Sequence, residues 1–321
     1  MEPTILIPEL VCAALQGRRI APRPEMTAVD WNAVLHICAA QRVHTFLYDA
    51  LPESGVDGEV LAAWQSQVRL NERASGLVAA IVRAQEEAWR KRGLNYALVK
   101  GPTVAALYPV PGHRCCGDLD WWFGEKSDWD AALEPAGRNA EEGVHRDSDG
   151  DIFYLFRGVC IEHHRDWTQL SSRRLRRIAG APAVTDGRLG PEDTLLMLMC
   201  HILHHVAWKG VTLKQITDLA VALVRYDGAY DRKRFAERLG ALGLTRWAAF
   251  LAAVVPELTG IGASCFPVEA QTVGKDRDRF LSILFGQAPQ LPKRIALMWR
   301  YSKVECVARY LYLIVGKIWR Y

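Results

Sequence analysis

Asp118 and Asp120 stand one residue apart in the run DLDWWF, just ahead of three bulky apolar side chains. In a strand, alternate side chains share a face, so both carboxylates would point the same way and repel each other. Folding alone gains little from that arrangement, whereas a cation between them offsets the repulsion. Mg2+ prefers carboxylate and phosphate oxygens in an octahedral shell. Nucleotidyl transfer uses such an ion to neutralise a triphosphate and activate an acceptor oxygen. Glu162, near the end of the run VCIEHH, is the natural third carboxylate, on the opposite face from Val159 and Ile161. Upstream, Lys100 and Gly101 end one apolar run and lead into PTVAALY. There a helix N-terminus would offer free N–H groups to an anion, and Gly101 would let the backbone approach phosphates closely. Thr103 could add a hydroxyl, and Lys100 and Arg114 could add charge to the β- and γ-phosphates. This reading requires that Glu162 face the two aspartates and that no salt bridge fill the cleft.

The elements that must position these residues are readable in outline. Residues up to about Leu70 have helical spacing, and Asn71 to Arg92 reads as a long helix stopped at Gly93. LNYALVK reads as a short buried strand and PTVAALY as a helix with proline at its first position. PVPGHRCCG is a loop, DLDWWF a strand, and SDWDAALEPAG a helix with Ser127 as its N-cap. Residues 152–157 and 159–163 are two strands separated around Arg157 and Gly158. From Leu170 onward the pattern is helical, opening with GPEDTLLMLMCHILHHVAW, with a looser segment from Ile261 to Asp278 and a long final helix. The expectation is an α/β (α+β) fold: a small mixed sheet over residues 71–168, between a helical segment at 1–70 and a helical domain at 169–321.

The chain has 321 residues, half of them hydrophobic, and a formal net charge of +4. That is the balance of a folded globular protein with a sizeable core. Eight scattered cysteines form no CxxC pair, which argues against a zinc ribbon and for free thiols in a reducing compartment. The acidic start MEPTILIPEL lacks the build of a signal peptide, and no apolar run approaches the ~20 residues that span a bilayer. A cytoplasmic location is expected.

The stretch LVKGPTVAALYP…GHRCCGDLDWWF resembles the bacterial uncharacterised nucleotidyltransferase family, a branch of the polymerase-β-like superfamily. Its pattern is matched by Lys100, Gly101, Tyr108, Pro109, Arg114, Gly117, Asp118 and Asp120, then by Glu162 and His163. A later helical part is matched by Pro191, Glu192, Asp193, Leu195, Leu196, His201 and Asp218. The resemblance implies a nucleotidyltransferase-like fold with NTP as substrate and Mg2+, or Mn2+ in its place, held by Asp118, Asp120 and Glu162. Lys100, Gly101, Thr103 and Arg114 would hold the nucleotide. It also implies a bacterial source and a peptide or small-metabolite acceptor, as in natural-product modification. Two departures stand out: Pro102 follows the glycine where Ser or Gly is usual, removing one N–H donor, and CCG and WWF replace smaller residues. One of Trp121 and Trp122 would line the nucleotide pocket, the other the core.

Other readings compete. The same metal geometry serves phosphoryl transfer. Basic runs at Arg173–Arg177 and after Gln271, where ten Lys or Arg face three Asp or Glu, suit an RNA-directed enzyme or RNA-binding module, although such runs are usually solvated helix faces. The C-terminal basic–aromatic helix would suit peripheral contact with a membrane surface. His201, His204 and His205 share a helix face and, with His163 and His164, suggest zinc. His201 is better read as a hydrogen-bonding link between the helical part and the strand. Lys209 and Lys214 read as exposed lysines beside a turn, or as charge offered to a triphosphate. Cys115 and Cys116 read as packing residues of a loop.

Overall fold

The computed structural model describes residues 3–147, 150–207, 210–286 and 291–318. Seven strands form one mixed sheet: β1 (Tyr96–Leu98), β2 (Asp118–Phe123), β3 (His145–Arg146), β4 (Ile152–Phe156), β5 (Val159–His164), β6 (Val184–Thr185) and β7 (Arg188–Leu189), in the spatial order β3-β4-β5-β2-β1-β7-β6. β2 is antiparallel to β1 but parallel to β5, with Asp118 beside Cys160 and Asp120 beside Glu162. Two tight hairpins carry positive φ at both central residues, Arg157–Gly158 and Asp186–Gly187, the geometry that two-residue hairpins favour. The second was legible as an Asp-Gly pair but falls where a helical signal was expected. Its strand β7 extends the sheet by pairing in parallel with β1 at Leu98 and Arg188.

The period-2 alternation of β2 sorts its side chains into two environments. Leu119, Trp121 and Phe123 face a compact aromatic core with Trp89, Tyr96, Tyr154 and Ile161. Trp89 meets Trp121 edge-on at 4.6 Å and Phe123 at 5.1 Å. Trp122 faces the other way, into the main helical core. Both tryptophans are buried and neither lines the two cavities beside the aspartates, so neither takes the expected place in a nucleotide pocket there.

The long helix begins at Gly58, not Asn71, and runs to Lys91. Asp57 caps it, its side chain accepting the N–H groups of Glu59 and Val60. The expected boundary at residue 70 therefore falls inside a helix. The early half of that helix (Val60, Trp64, Val68) joins the core shared by the N- and C-terminal helices, while the later half (Val78, Ile81, Val82, Trp89) packs on the sheet. The helix Pro102–Ala105 is only one turn. Ser127 lies inside its helix rather than capping it; Glu125 precedes that helix without a side-chain cap bond. A helix starts at Lys275, within the segment expected to be irregular. The final helix is two, Leu291–Tyr301 and Lys303–Ile318, broken at Ser302. Residues 319–321, the end of the expected basic–aromatic helix, lie outside the described residues, as does Lys209. No described helix is long and apolar enough to cross a membrane.

Truncating Trp89 removes the ring on which Tyr96, Trp121 and Phe123 converge. Trp89→Ala is expected to lose about 3–5 kcal/mol in urea unfolding, and Trp299→Ala, at a ring 52% exposed, to stay within about 0.5 kcal/mol.

Candidate active site

The parallel register of β2 and β5 decides the site. It sets Asp118 and Asp120 on the same sheet face as Glu162 and His164, so Glu162 meets the requirement of facing the aspartates. Ligand atoms of Asp120, Glu162 and His164 lie within 4.8 Å of one another. Asp118 stands on the same face, nearer the surface, and lines two adjoining cavities.

The second requirement is not met in full. Asp120 is 1% exposed, and its Oδ1 accepts from Lys100 Nζ at 2.7 Å and from His164 Nε2 at 2.8 Å. Lys100 thus sits on a carboxylate and not free to meet a phosphate. The physical reason is burial: an unpaired ionised Asp120 would be costly here, and Lys100 is the nearest cation. Burial pulls the Lys100 ammonium downward, but Asp120, then Asp118 and Glu162, outweigh it and raise its pKa. Burial likewise opposes ionisation of Asp120, yet Lys100 and His164 hold its carboxyl well below the usual range. Glu162 moves the other way: burial and the neighbouring Asp120 charge push it up.

His164 lies between two carboxylates, donating from Nδ1 to Asp151 Oδ2 at 2.7 Å as well as from Nε2 to Asp120. Burial works against its charge, but bonds to Asp120 and Asp151 raise its pKa to about 10. Asp118, Asp120 and Glu162 add carboxylate oxygens on this one face, the donor type that a hard divalent ion prefers. His163, the histidine expected to accompany Glu162, faces the opposite side among Phe123, Tyr154 and Trp89. There burial, and secondarily the charge of His164, lowers its pKa to about 3.

The expected nucleotide-binding residues divide. Gly101 has φ +66°, and a Cβ there would stand 3.1 Å from the Asp118 carbonyl oxygen, so only glycine lets this turn lie against the aspartate strand. Gly117 lies against the Arg42 guanidinium. Thr103 is not brought to the site. Its hydroxyl donates to the Leu98 carbonyl at 3.0 Å and lines neither cavity. Arg114 lines the smaller cavity but its fork is occupied: Nε and Nη2 donate to the two oxygens of Asp218 at 2.7 and 2.8 Å, and Nη1 to the Gly101 carbonyl at 3.1 Å. Tyr108 Oη donates to Asp218 Oδ1 at 2.7 Å. Tyr108, Arg114 and Asp218, distant in sequence, form one buried network that fixes the Gly101 turn. Glu192 and Asp193 are likewise structural, both accepting from Arg238.

Positive charge reaches the smaller cavity, of about 240 Å³, from Lys100, Arg42 and Lys214 instead. Lys214, expected to be exposed, is largely buried, with Nζ 3.7 Å from Asp218. Burial, and then the charge of Arg114, lowers its pKa. Arg42 carried no local signal; it belongs to the N-terminal helices and arrives through tertiary packing. His164 could have been found from period 2, two residues after Glu162, but its partner Asp151 needed the hairpin. His201 behaves as the expected link: its Nδ1 bonds Gln169 Oε1 at 2.7 Å, and Gln169 Nε2 lies 3.3 Å from His164. Among the described residues no metal-holding group includes His201, His204 or His205.

A pair of carboxylates, a third on the parallel neighbour and a glycine turn beside them thus meet on one face of the sheet. The chain belongs to the family described as uncharacterised nucleotidyltransferases, whose sequence pattern matches residues 27–260. It is accordingly a nucleotidyl-group transferase, with an NTP as substrate. Neither the curated proteins nor the solved structures gave a match.

Replacing one member of the Arg114–Asp218 pair strands the other's charge. Arg114→Met or Asp218→Leu alone is expected to cost about 3–5 kcal/mol in denaturant unfolding, and the double variant less than the sum. Nitrogen NMR of His164 should show both ring nitrogens protonated at pH 8. Because its folded pKa, about 10, lies above the unfolded value near 6.5, its contribution to stability is complete below pH ~6.5 and lost as pH rises through ~10.

Proposed function

We propose that the protein transfers a nucleoside monophosphate from an NTP to a hydroxyl of a peptide or small-metabolite acceptor, with a divalent cation, Mg2+ or Mn2+, held by Asp118, Asp120 and Glu162. The observation that carries this is the alignment of Asp120 with Glu162 across β2 and β5, with Asp118 on the same face. A bound cation would neutralise phosphate charge and polarise the reacting phosphoryl group. The triphosphate lies in the smaller cavity, over the Gly101 turn, with Arg42 and Lys214 as its counter-charges. Lys100 keeps Asp120 ionised in the free protein, and a divalent ion held by Asp120 would share that carboxylate with it. The acceptor enters from the larger cavity, where Glu162 accepts the hydroxyl proton. The acceptor oxygen then bonds to the α-phosphorus, the bond from that phosphorus to the bridging oxygen breaks, and pyrophosphate leaves with the electron pair. The place of Glu162 at the cavity wall, where burial and the Asp120 charge raise its pKa, supports its part as a base. Gly101, whose turn Arg114 and Asp218 brace, supplies close backbone approach; Arg114 contributes by positioning.

Asp118 makes the cleaner test than a double Asp118/Asp120 substitution, because removing Asp120 also strands buried Lys100 and His164. Asp118→Asn is expected to lower NTP turnover about 100-fold or more without shifting the unfolding midpoint. Glu162→Gln should reduce kcat about 10²–10⁴-fold with little change in nucleotide affinity. Calorimetry with ATP, GTP, CTP and UTP, with and without Mg2+, reads nucleotide binding and base preference together. Product mass separates a nucleoside monophosphate adduct from a single phosphate. Turnover unchanged in Asp118→Asn would remove the carboxylate assignment.

A further inference from the structure

The two cavities meet at Lys100 and Asp118 but carry different chemistry beyond that point. The smaller adjoins the Gly101 turn. The larger, of about 420 Å³, is lined by Glu162 and by Arg165, Arg173 and Arg176. That volume is the size of a small-molecule site. We propose that this wall binds an anionic group of the acceptor, so that the hydroxyl presented to Glu162 belongs to a small molecule bearing a phosphate or carboxylate. The inference rests on the nucleotidyl-transfer reading for its reaction, though not for its anion site.

Charge and anchoring both support it. The acids Asp118, Asp147, Asp151, Glu162 and Asp166 line the same cavity; Asp151 accepts from His164 and the Arg165 N–H, Asp147 from the Asp151 N–H, and Asp166 from Thr168 and the Leu170 N–H. The three arginines make no salt bridge with a carboxylate among the described residues, although Asp166 feels the charge of Arg176. Their guanidinium forks match phosphate and carboxylate oxygens in pairs.

The wall is also held firmly. Arg173 and Arg176 sit at i and i+3 on the helix Arg173–Ala179, which places them on one side of it. Ser172 caps that helix through its side chain. Glu305, from the far C-terminal region and 3% exposed, accepts the backbone N–H groups of Ser171 and Ser172. Arg165 is braced with its guanidinium 5.7 Å over the Trp129 ring. A buried carboxylate contributed from so far along the chain to fix the loop before an arginine-bearing helix is what a positioned binding wall requires.

Calorimetry with inorganic phosphate, and in parallel acetate, on the full chain saturated with Mg2+ and α,β-methylene ATP tests the wall while the triphosphate position is filled. One phosphate per chain is expected, weakened about 10-fold or more in Arg173→Ala/Arg176→Ala. Binding of phosphate alone indicates a phosphorylated acceptor, and binding of both anions a carboxylate site as well. No saturable binding, or binding that the double variant leaves unchanged, overturns the proposal. So does tighter binding of a 16-nucleotide single-stranded RNA that the same variant abolishes, since that would make the wall a nucleic-acid track. If the nucleotide analogue itself fails to bind, the nucleotidyl-transfer reading falls. Phosphate titration of the nucleotide-free protein, comparing Arg173→Ala/Arg176→Ala with Lys214→Ala, then still decides the anion site: loss only in the arginine variant supports it, and loss only in the lysine variant overturns it.

Discussion

The fork of Arg114 between Asp218 and the Gly101 carbonyl is the contact on which the rest of the site depends. It joins a helix of the C-terminal region to the turn that precedes the aspartate strand. Tyr108 completes it from the short segment between. Such a pair, buried on all sides, adds little net stability compared with apolar packing, but losing one partner is costly. Its value is geometric: it fixes where the Gly101 turn lies, and the turn's contact with Asp118 leaves no room for a side chain. The site is therefore shared between the sheet and the helices rather than being a property of the sheet alone.

The same economy governs the carboxylates. Asp120 is too deeply buried to stay ionised unaided, and the fold surrounds it with Lys100 and His164. His164 is in turn steadied by Asp151 and reached from the helical side through Gln169 and His201. An alternating set of bases and acids, Lys100, Asp120, His164 and Asp151, lines the cleft floor. It keeps Asp120 charged and oriented before any ligand arrives, which is the preorganisation that phosphoryl and nucleotidyl chemistry needs.

One hydrophobic core joins the N-terminal helices to the C-terminal ones, and the helix Gly58–Lys91 serves both that core and the aromatic core behind the sheet. This explains how Arg42, from the turn after the helix Trp31–Ala40, comes to stand against Gly117 and beside the smaller cavity. The sheet is inserted into a helical shell whose two ends pack together, so cleft residues come from both sides of it.

Local pattern was enough to determine strand β2 to the residue, the hairpin around Arg157 and Gly158, most of the helices, and the shared face of Asp118 and Asp120; the pairing of β2 with β5 then brought Glu162 to that face. Those features follow from period 2, period 3.6 and turn chemistry, which act over a few residues. Tertiary structure alone decided what each polar group is paired with. Lys100 went to Asp120, Arg114 to Asp218 and Thr103 to the Leu98 carbonyl, while His164 replaced His163 beside Glu162. Arg42 and Lys214 came to line the smaller cavity. The reason is physical: a buried charge seeks the nearest opposite charge in space, and that distance is set by packing between segments more than 100 residues apart, such as Arg114 and Asp218.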